Sequence, residues 1–138
     1  MAIKQISVFL ENNAGRLGDV TKALADAGVN LRAISIADTA DFGILRLIVD
    51  REDNALKALT SAGFTTRVSD VAAVEIDDVP GSLARVMEFF KEANVNIEYL
   101  YASLENKVNK AVIIFKLEDH ERGHKILREH GLSMVETF

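Results

Sequence analysis

The chain has 138 residues, with 16 Lys+Arg against 21 Asp+Glu, a net charge of -5 and a pI of about 5.2. It contains no cysteine, which excludes disulfides, thiolate metal sites and Cys nucleophiles. Neither half carries more Lys and Arg than Asp and Glu, so no basic footprint for nucleic acid is present, and no apolar run approaches the ~18–20 residues of a membrane span.

Near the start, Ile6, Val8 and Leu10 alternate with Ser7 and Phe9, the period of a half-buried strand. A loop at 11–15 follows. Leu17, Val20, Leu24 and Ala27 then recur at helical spacing, and Gly28 stops that helix. Residues 31–37 and 44–49 read as a hairpin pair around 38–41. Asp50 is the expected N-cap of the next helix. Its apolar stripe is Ala55, Leu56, Leu59 and Ala62, ended by Gly63. Residues 65–71 close the unit as a strand.

The same order then repeats. Gly15-Arg16-Leu17 and Gly81-Ser82-Leu83 lie 66 residues apart, and at that offset Val8 meets Val74, Val20 meets Val86, Val29 meets Val95 and Asn30 meets Asn96. Gly63 and Gly131 pair at an offset of 68, which places two extra residues of the second copy in the hairpin around 105–109. Val74 and Ile76 sit in the second copy's first strand. Leu83, Val86, Phe89 and Phe90 line its first helix, 97–104 and 111–117 form its hairpin, Ile126 and Leu127 anchor its last helix, and 132–137 is its last strand. The expected fold class is α+β: two ferredoxin-like βαββαβ modules in tandem, 1–70 and 71–138, each an antiparallel sheet with helices on one face. The two copies meet within 65–77 with no Pro/Gly/Ser-rich spacer.

The loops between the first strand and first helix read Asn12-Asn13-Ala14-Gly15-Arg16-Leu17 and Asp78-Val79-Pro80-Gly81-Ser82-Leu83. Glycine lets backbone approach a ligand closely. The first N–H groups of a helix have no intrahelical partner and can receive a carboxylate, while an oxygen of Asn12 or Asp78 can accept from an ammonium group. A zwitterionic amino acid needs both features close together. The plainer reading of Gly15 and Gly81 is a turn without a ligand. For Asn30 and Asn96 it is a turn or carbonyl cap before the second strand, and for Leu17 and Leu83 it is a place in the core.

These loops, with Ala27-Gly28-Val29-Asn30-Leu31 and Ala93-Asn94-Val95-Asn96-Ile97, resemble the ACT domain family. The resemblance rests on an acidic or amide residue, Pro-Gly and Leu at the helix start, and spans nearly the whole chain in two copies. The first copy departs at Ala14, where the family usually has Pro. The resemblance implies regulatory binding of an amino acid at interfaces between modules, with contacts from the first loop of one module and the second strand of its neighbour. Carried over position by position, the loop contacts are Asn12, Asn13, Ala14, Gly15 and Leu17, with Asp78, Pro80, Gly81 and Leu83. The second-strand contacts are Ile34 and Ile36, with Leu100 and Ala102.

His120-Glu121-Arg122-Gly123-His124 has the letters of the zinc-protease motif H-E-x-x-H. The short helix, Gly123 in its centre and the repeat register, which aligns it with an ordinary helix at 52–56, all oppose that reading. A solvated helix face is the expectation. RNA-binding modules of this shape carry aromatics in their central strands, and the third strands here, 42–49 and 110–116, lack that signature.

The expected function is a non-catalytic sensor of a small amino acid, working without a cofactor or metal. A homodimer is expected, with a regulated enzyme as a possible partner and neither nucleic acid nor membrane. The alternative is a ligand-free interaction or oligomerisation module. No Ser/His/Asp grouping, phosphate loop or credible metal set supports an enzyme. No basic segment followed by an apolar one opens the chain, so a cytoplasmic location is expected.

Overall fold

The computed structural model describes residues 3–11, 13–38, 41–105 and 107–138. In chain order the elements are β1 (Ile3–Glu11), α1 (Arg16–Asp26), β2 (Leu31–Asp38), β3 (Phe42–Val49), α2 (Glu52–Ser61), β4 (Thr65–Asp77), α3 (Ser82–Glu92), β5 (Ile97–Ala102), β6 (Lys110–Leu117), α4 (His120–Glu129) and β7 (Ser133–Val135). They fall into two compact units, one of 4–69 with Phe138 and one of 70–137 with Ile3. Each has the order βαββαβ, and β4 serves both, closing the first and opening the second. The fold is α+β, a tandem of ferredoxin-like modules.

In the first module the strand order is β2-β3-β1-β4. Val8 lies opposite Leu45 and Ile6 opposite Leu47 on antiparallel β1 and β3. Opposed residues share a sheet face, so Ile6, Val8, Leu10, Leu45 and Leu47 point one way. There they pack with Val20 and Leu24 of α1 and with Ala55 and Leu59 of α2. Full burial of each large aliphatic side chain contributes about 1.5–3 kcal/mol. β1 is buried more completely than simple alternation implies. Gln5 and Ser7 are buried as well, and Gln5 Nε2 donates to Ser7 Oγ at 3.2 Å.

The second module has the order β5-β6-β4-β7. Val74 opposes Ile113 and Ala72 opposes Phe115. Their shared face packs on Val86 and Phe90 of α3 and Leu127 of α4, with the Phe90 and Phe115 rings edge-to-face at 5.4 Å. Phe89, expected in this stripe, instead stacks on His130 at 3.8 Å. The last strand covers only Ser133–Val135, shorter than the 132–137 expected. α1 and α3, and likewise β2 and β5, start 66 residues apart, whereas corresponding elements from β6 onward start 68 apart, so the two extra residues fall between β5 and β6.

The turns after α1 and α3 need a left-handed residue. Gly28 supplies it at φ 71 and Asn94 at φ 55, asparagine being among the few other residues that tolerate this region. Asn30 and Asn96 next in line fasten the end of the third strand through backbone. Asp50 N–H donates to Asn30 O at 3.2 Å and Glu118 N–H to Asn96 O at 3.0 Å. Asp50 is not the N-cap expected of it. Its Oδ1 accepts from Asn30 N–H at 2.9 Å, and Arg51 stands at the cap position of α2 without a side-chain bond. The corresponding residue of the second module, Asp119, does cap α4, accepting from Arg122 N–H at 3.2 Å.

Candidate functional site

Both first loops fold into the same turn. Ser82 N–H donates to Val79 O at 3.3 Å, and Gly81 has φ 92 and ψ -14. Those are the marks of a type II turn, with Pro80 setting the second residue and glycine at the third. Arg16 N–H likewise donates to Asn13 O at 3.3 Å, and Gly15 has φ 87 and ψ -13. The absence of proline at Ala14 therefore leaves the turn unchanged, because the glycine carries the unusual dihedral. A Cβ at Gly15 or Gly81 would meet no atom within 4 Å. The glycines are required by the sign of φ, and the space beside them is open. No side chain among the described residues caps α1 or α3, so no cap offsets the N-terminal partial positive charge of either helix.

Asn12 lies outside the described residues. Asn13 is exposed, and its Nδ2 donates to Glu11 Oε2 at 3.0 Å. Ala14 and Gly15 are exposed. Leu17 is 42% exposed, which corrects its reading as core. The buried stripe of α1 is Val20 and Leu24, and it begins one turn later than the periodicity implies. Leu83, its counterpart, does pack against the second core. Asp78, Pro80 and Gly81 are exposed. Asp78 N–H donates to Asn109 O at 2.9 Å, and no described residue pairs with its carboxylate.

On the second strands, Ile34 is partly buried against the first core, while Ile36 is 53% and Leu100 41% exposed. Ala102 is exposed. Ile36 opposes Leu45 while Asp38 opposes Gly43, and β1 ends with Glu11 opposite Phe42. Ile36 therefore sits at the loop end of its module's sheet. Ala102, opposite Ile113, stands near the end where Asp77 opposes Lys110. Ile34 and Leu100 lie farther along their strands. Within each module, β2 or β5 is a terminal strand of the sheet.

A cavity of about 180 Å³ adjoins the second loop, lined among others by Ile76, Ser82, Arg85, Lys110 and Leu132. Glu75 and Asp77 also line it, but lysines hold both: Lys107 Nζ is 2.8 Å from Glu75 Oε2, and Lys110 Nζ bonds Asp77 Oδ1. These hydrogen bonds raise the pKa of Lys107 and Lys110 above the usual lysine value. No carboxylate among the described residues pairs with Arg85, whose guanidinium lies 5.5 Å from the centre of the Phe89 ring. The first module is built differently at this place. Arg16 Nη1 is 3.2 Å from Asp19 Oδ2, and the guanidinium stands over the Phe64 ring at 4.4 Å. Sequence reasoning missed Arg85. The available signal was the exchange of Arg16 for Ser82 and of Asp19 for Arg85 across the repeat.

The larger cavity, about 710 Å³, lies against α4 and is lined by charged groups including Asp70, His120, His124 and Arg128. None of the loop residues lines it. The His120 and His124 rings are 5.6 Å apart, as their helical spacing dictates. His124 Nδ1 is 3.2 Å from Arg128 Nη2. Burial, then the charge of Arg128, then that of His120 push the His124 pKa below 6.5. Among the described residues no group of three or more His, Asp or Glu is placed to hold a metal ion.

A family described as an ACT domain pair matches residues 1–137. Among solved structures, a Bacteroides thetaiotaomicron protein is similar at 39% identity and a TM-score of 0.92, over 98% of this chain and 92% of its own. The ligand-free regulatory subunit of aspartate kinase from Thermus thermophilus is similar at 19% identity and a TM-score of 0.66, over 91% and 90% of the two chains. The Thermus flavus regulatory subunit follows at 20% identity and 0.61, with the same coverage. The two Thermus proteins share the fold. No curated protein matches the chain.

Proposed function

The chain belongs to the ACT domain pair family, and we propose that it is a non-catalytic regulatory sensor that binds a small amino acid. The observation that carries this reading is the pair of type II turns, each setting an uncapped helix N-terminus beside an open space. Such an N-terminus accepts a carboxylate. Asp78 offers an unpaired carboxylate to an ammonium group, and Asn12 offers an amide oxygen at the matching place in the first copy. The remaining candidates follow the family resemblance: Asn13, Ala14, Gly15, Leu17, Pro80, Gly81 and Leu83 from the loops, and Ile34, Ile36, Leu100 and Ala102 from a neighbouring module's second strand. In this reading the protein is cytoplasmic, works as a homodimer, and passes the bound state to an enzyme partner. The Thermus relatives are named as regulatory subunits of aspartate kinase, and their fold supports a regulatory role here without specifying the ligand.

The exposed Ile36 and Leu100 on terminal strands favour a second reading, an association module that needs no ligand, because proteins usually cover open strand edges. A thermal-shift screen of the twenty amino acids separates the two. A ligand specific to the folded state stabilises it by about 2.7 kcal/mol at 100 times Kd. The sensor reading expects one or a few amino acids to raise Tm in proportion to the logarithm of concentration. A flat response to all twenty, in a protein that sediments as a dimer, leaves the association module.

A further inference from the structure

We propose that the cavity beside Ser82 and Arg85 is a carboxylate-binding subsite, present once per chain, whose first-module counterpart is closed by its own side chains. Equivalent positions of the repeat carry different side chains here. Arg16 corresponds to Ser82, Asp19 to Arg85 and Phe64 to Leu132. In the first module the cation and the acid pair at 3.2 Å, and the guanidinium covers the Phe64 ring at 4.4 Å. In the second, a hydroxyl replaces the long cation and a leucine replaces the ring. The cation moves to the position where the first module has its acid. The result is a space of about 180 Å³ with Ser82, Arg85 and Lys110 in its wall.

The charges there are unbalanced in one specific respect. Glu75 and Asp77 are occupied by Lys107 and Lys110, whereas no described carboxylate pairs with Arg85. Arginine presents a planar fork of donors that matches a carboxylate in two places. Ser82 adds a hydroxyl at the first position of α3, on the side where the helix N-terminus favours negative charge. The volume corresponds to roughly six waters, enough for the carboxylate end of a small ligand. For the ligand's identity this inference rests on the amino-acid-sensor reading. The subsite itself requires only a carboxylate.

Binding should be measured by calorimetric titration with each of the twenty amino acids and, separately, with acetate and succinate. The parent, Arg85→Gln, Arg85→Lys and the double variant Ser82→Arg/Arg85→Asp are compared, the last recreating the first module's closed pair. The expected result is binding to the parent that weakens tenfold or more in Arg85→Gln and in the double variant, with partial retention in Arg85→Lys. All variants should unfold with the parent's cooperativity. Amino-acid binding that is unchanged in Arg85→Gln and the double variant overturns the subsite and leaves the sensor reading standing. Arg85-dependent binding of acetate or succinate with no amino acid bound keeps the subsite and rejects the sensor. No binding by any of these carboxylates rejects both.

Discussion

Leu117 occupies the space that a side chain at position 123 would need: a Cβ built on Gly123 would collide with Leu117 Cδ1 and come within 3.4 Å of Val95 Cγ1. The first module has Val49 and Ala55 at the equivalent places, with Ala55 fully buried. The two pairs, Val–Ala and Leu–Gly, contain the same number of side-chain carbons. The second module has thus moved one carbon from the helix to the strand at constant volume, the kind of core exchange that is tolerated best.

The double-mutant cycle of these two residues should be strongly coupled. Leu117→Val alone should cost about 0.5–1.5 kcal/mol by leaving a void. Gly123→Ala alone should cost about 1 kcal/mol, because overpacking outweighs the gain in helix propensity. The double variant should be more stable than either single one, since it reproduces the first module's packing. Urea unfolding gives all four values. Additive losses in the double variant would contradict the packing account.

Ala14→Pro should stabilise the protein by about 0.4–1 kcal/mol, by restricting the unfolded chain at a position whose folded backbone already suits proline. Pro80 holds the same place in an equivalent turn with a matching Gly dihedral. The Tm of the variant against the parent is the test, and a decrease would show that the two turns differ at their second residue.

Arg51→Ser should add about 1 kcal/mol by supplying the side-chain cap that α2 lacks. The backbone is already suited: Arg51 has φ -131 and ψ 79, close to φ -115 and ψ 93 at the capping Asp119. Serine is preferred to aspartate because Asp50, Glu52 and Asp53 flank the site. Asp119→Ala should lose a similar amount. Opposite signs for the two variants in denaturant unfolding are expected, and equal signs would reject the capping argument.

Much of this architecture was legible because the same pattern occurs twice. The glycines at 15 and 81 and the shift in offset from 66 to 68 located the helices, the turns and the longer hairpin. Features that depend on which side chain meets which were not legible. Asp50 has the right residue type and position for a cap, but it bonds back to Asn30. Gly123 looks like a helix weakness until Leu117 is placed beside it. Leu17 keeps the helical spacing yet stands outside the core. Arg85 became noticeable as a candidate only when its lack of an acid partner could be set against the Arg16–Asp19 pair.

Stability should fall as pH drops below 6.5, in part because of His124. Its folded-state pKa is depressed from 6.5, first by burial, then by Arg128 and His120, against a smaller opposing pull from Glu136. Protonation is therefore harder in the folded protein than in the unfolded chain. The His124 contribution is complete above 6.5 and is lost as pH falls from there toward the folded value. His124→Leu, which places the residue type of Leu56 at the equivalent position, removes this group. The urea midpoint of the parent should drop more than that of the variant between about pH 7.5 and about pH 6. Equal drops would assign the dependence elsewhere.

The most direct test of the sensor account is a backbone amide NMR titration of the intact protein with the amino acid that most raises Tm. The account predicts saturable shifts concentrated at the amides of the two turns, Gly15–Leu17 and Gly81–Leu83, with the larger changes in the second. Saturable shifts confined to α4 and its larger cavity, or no saturable shifts with any of the twenty amino acids, would contradict it.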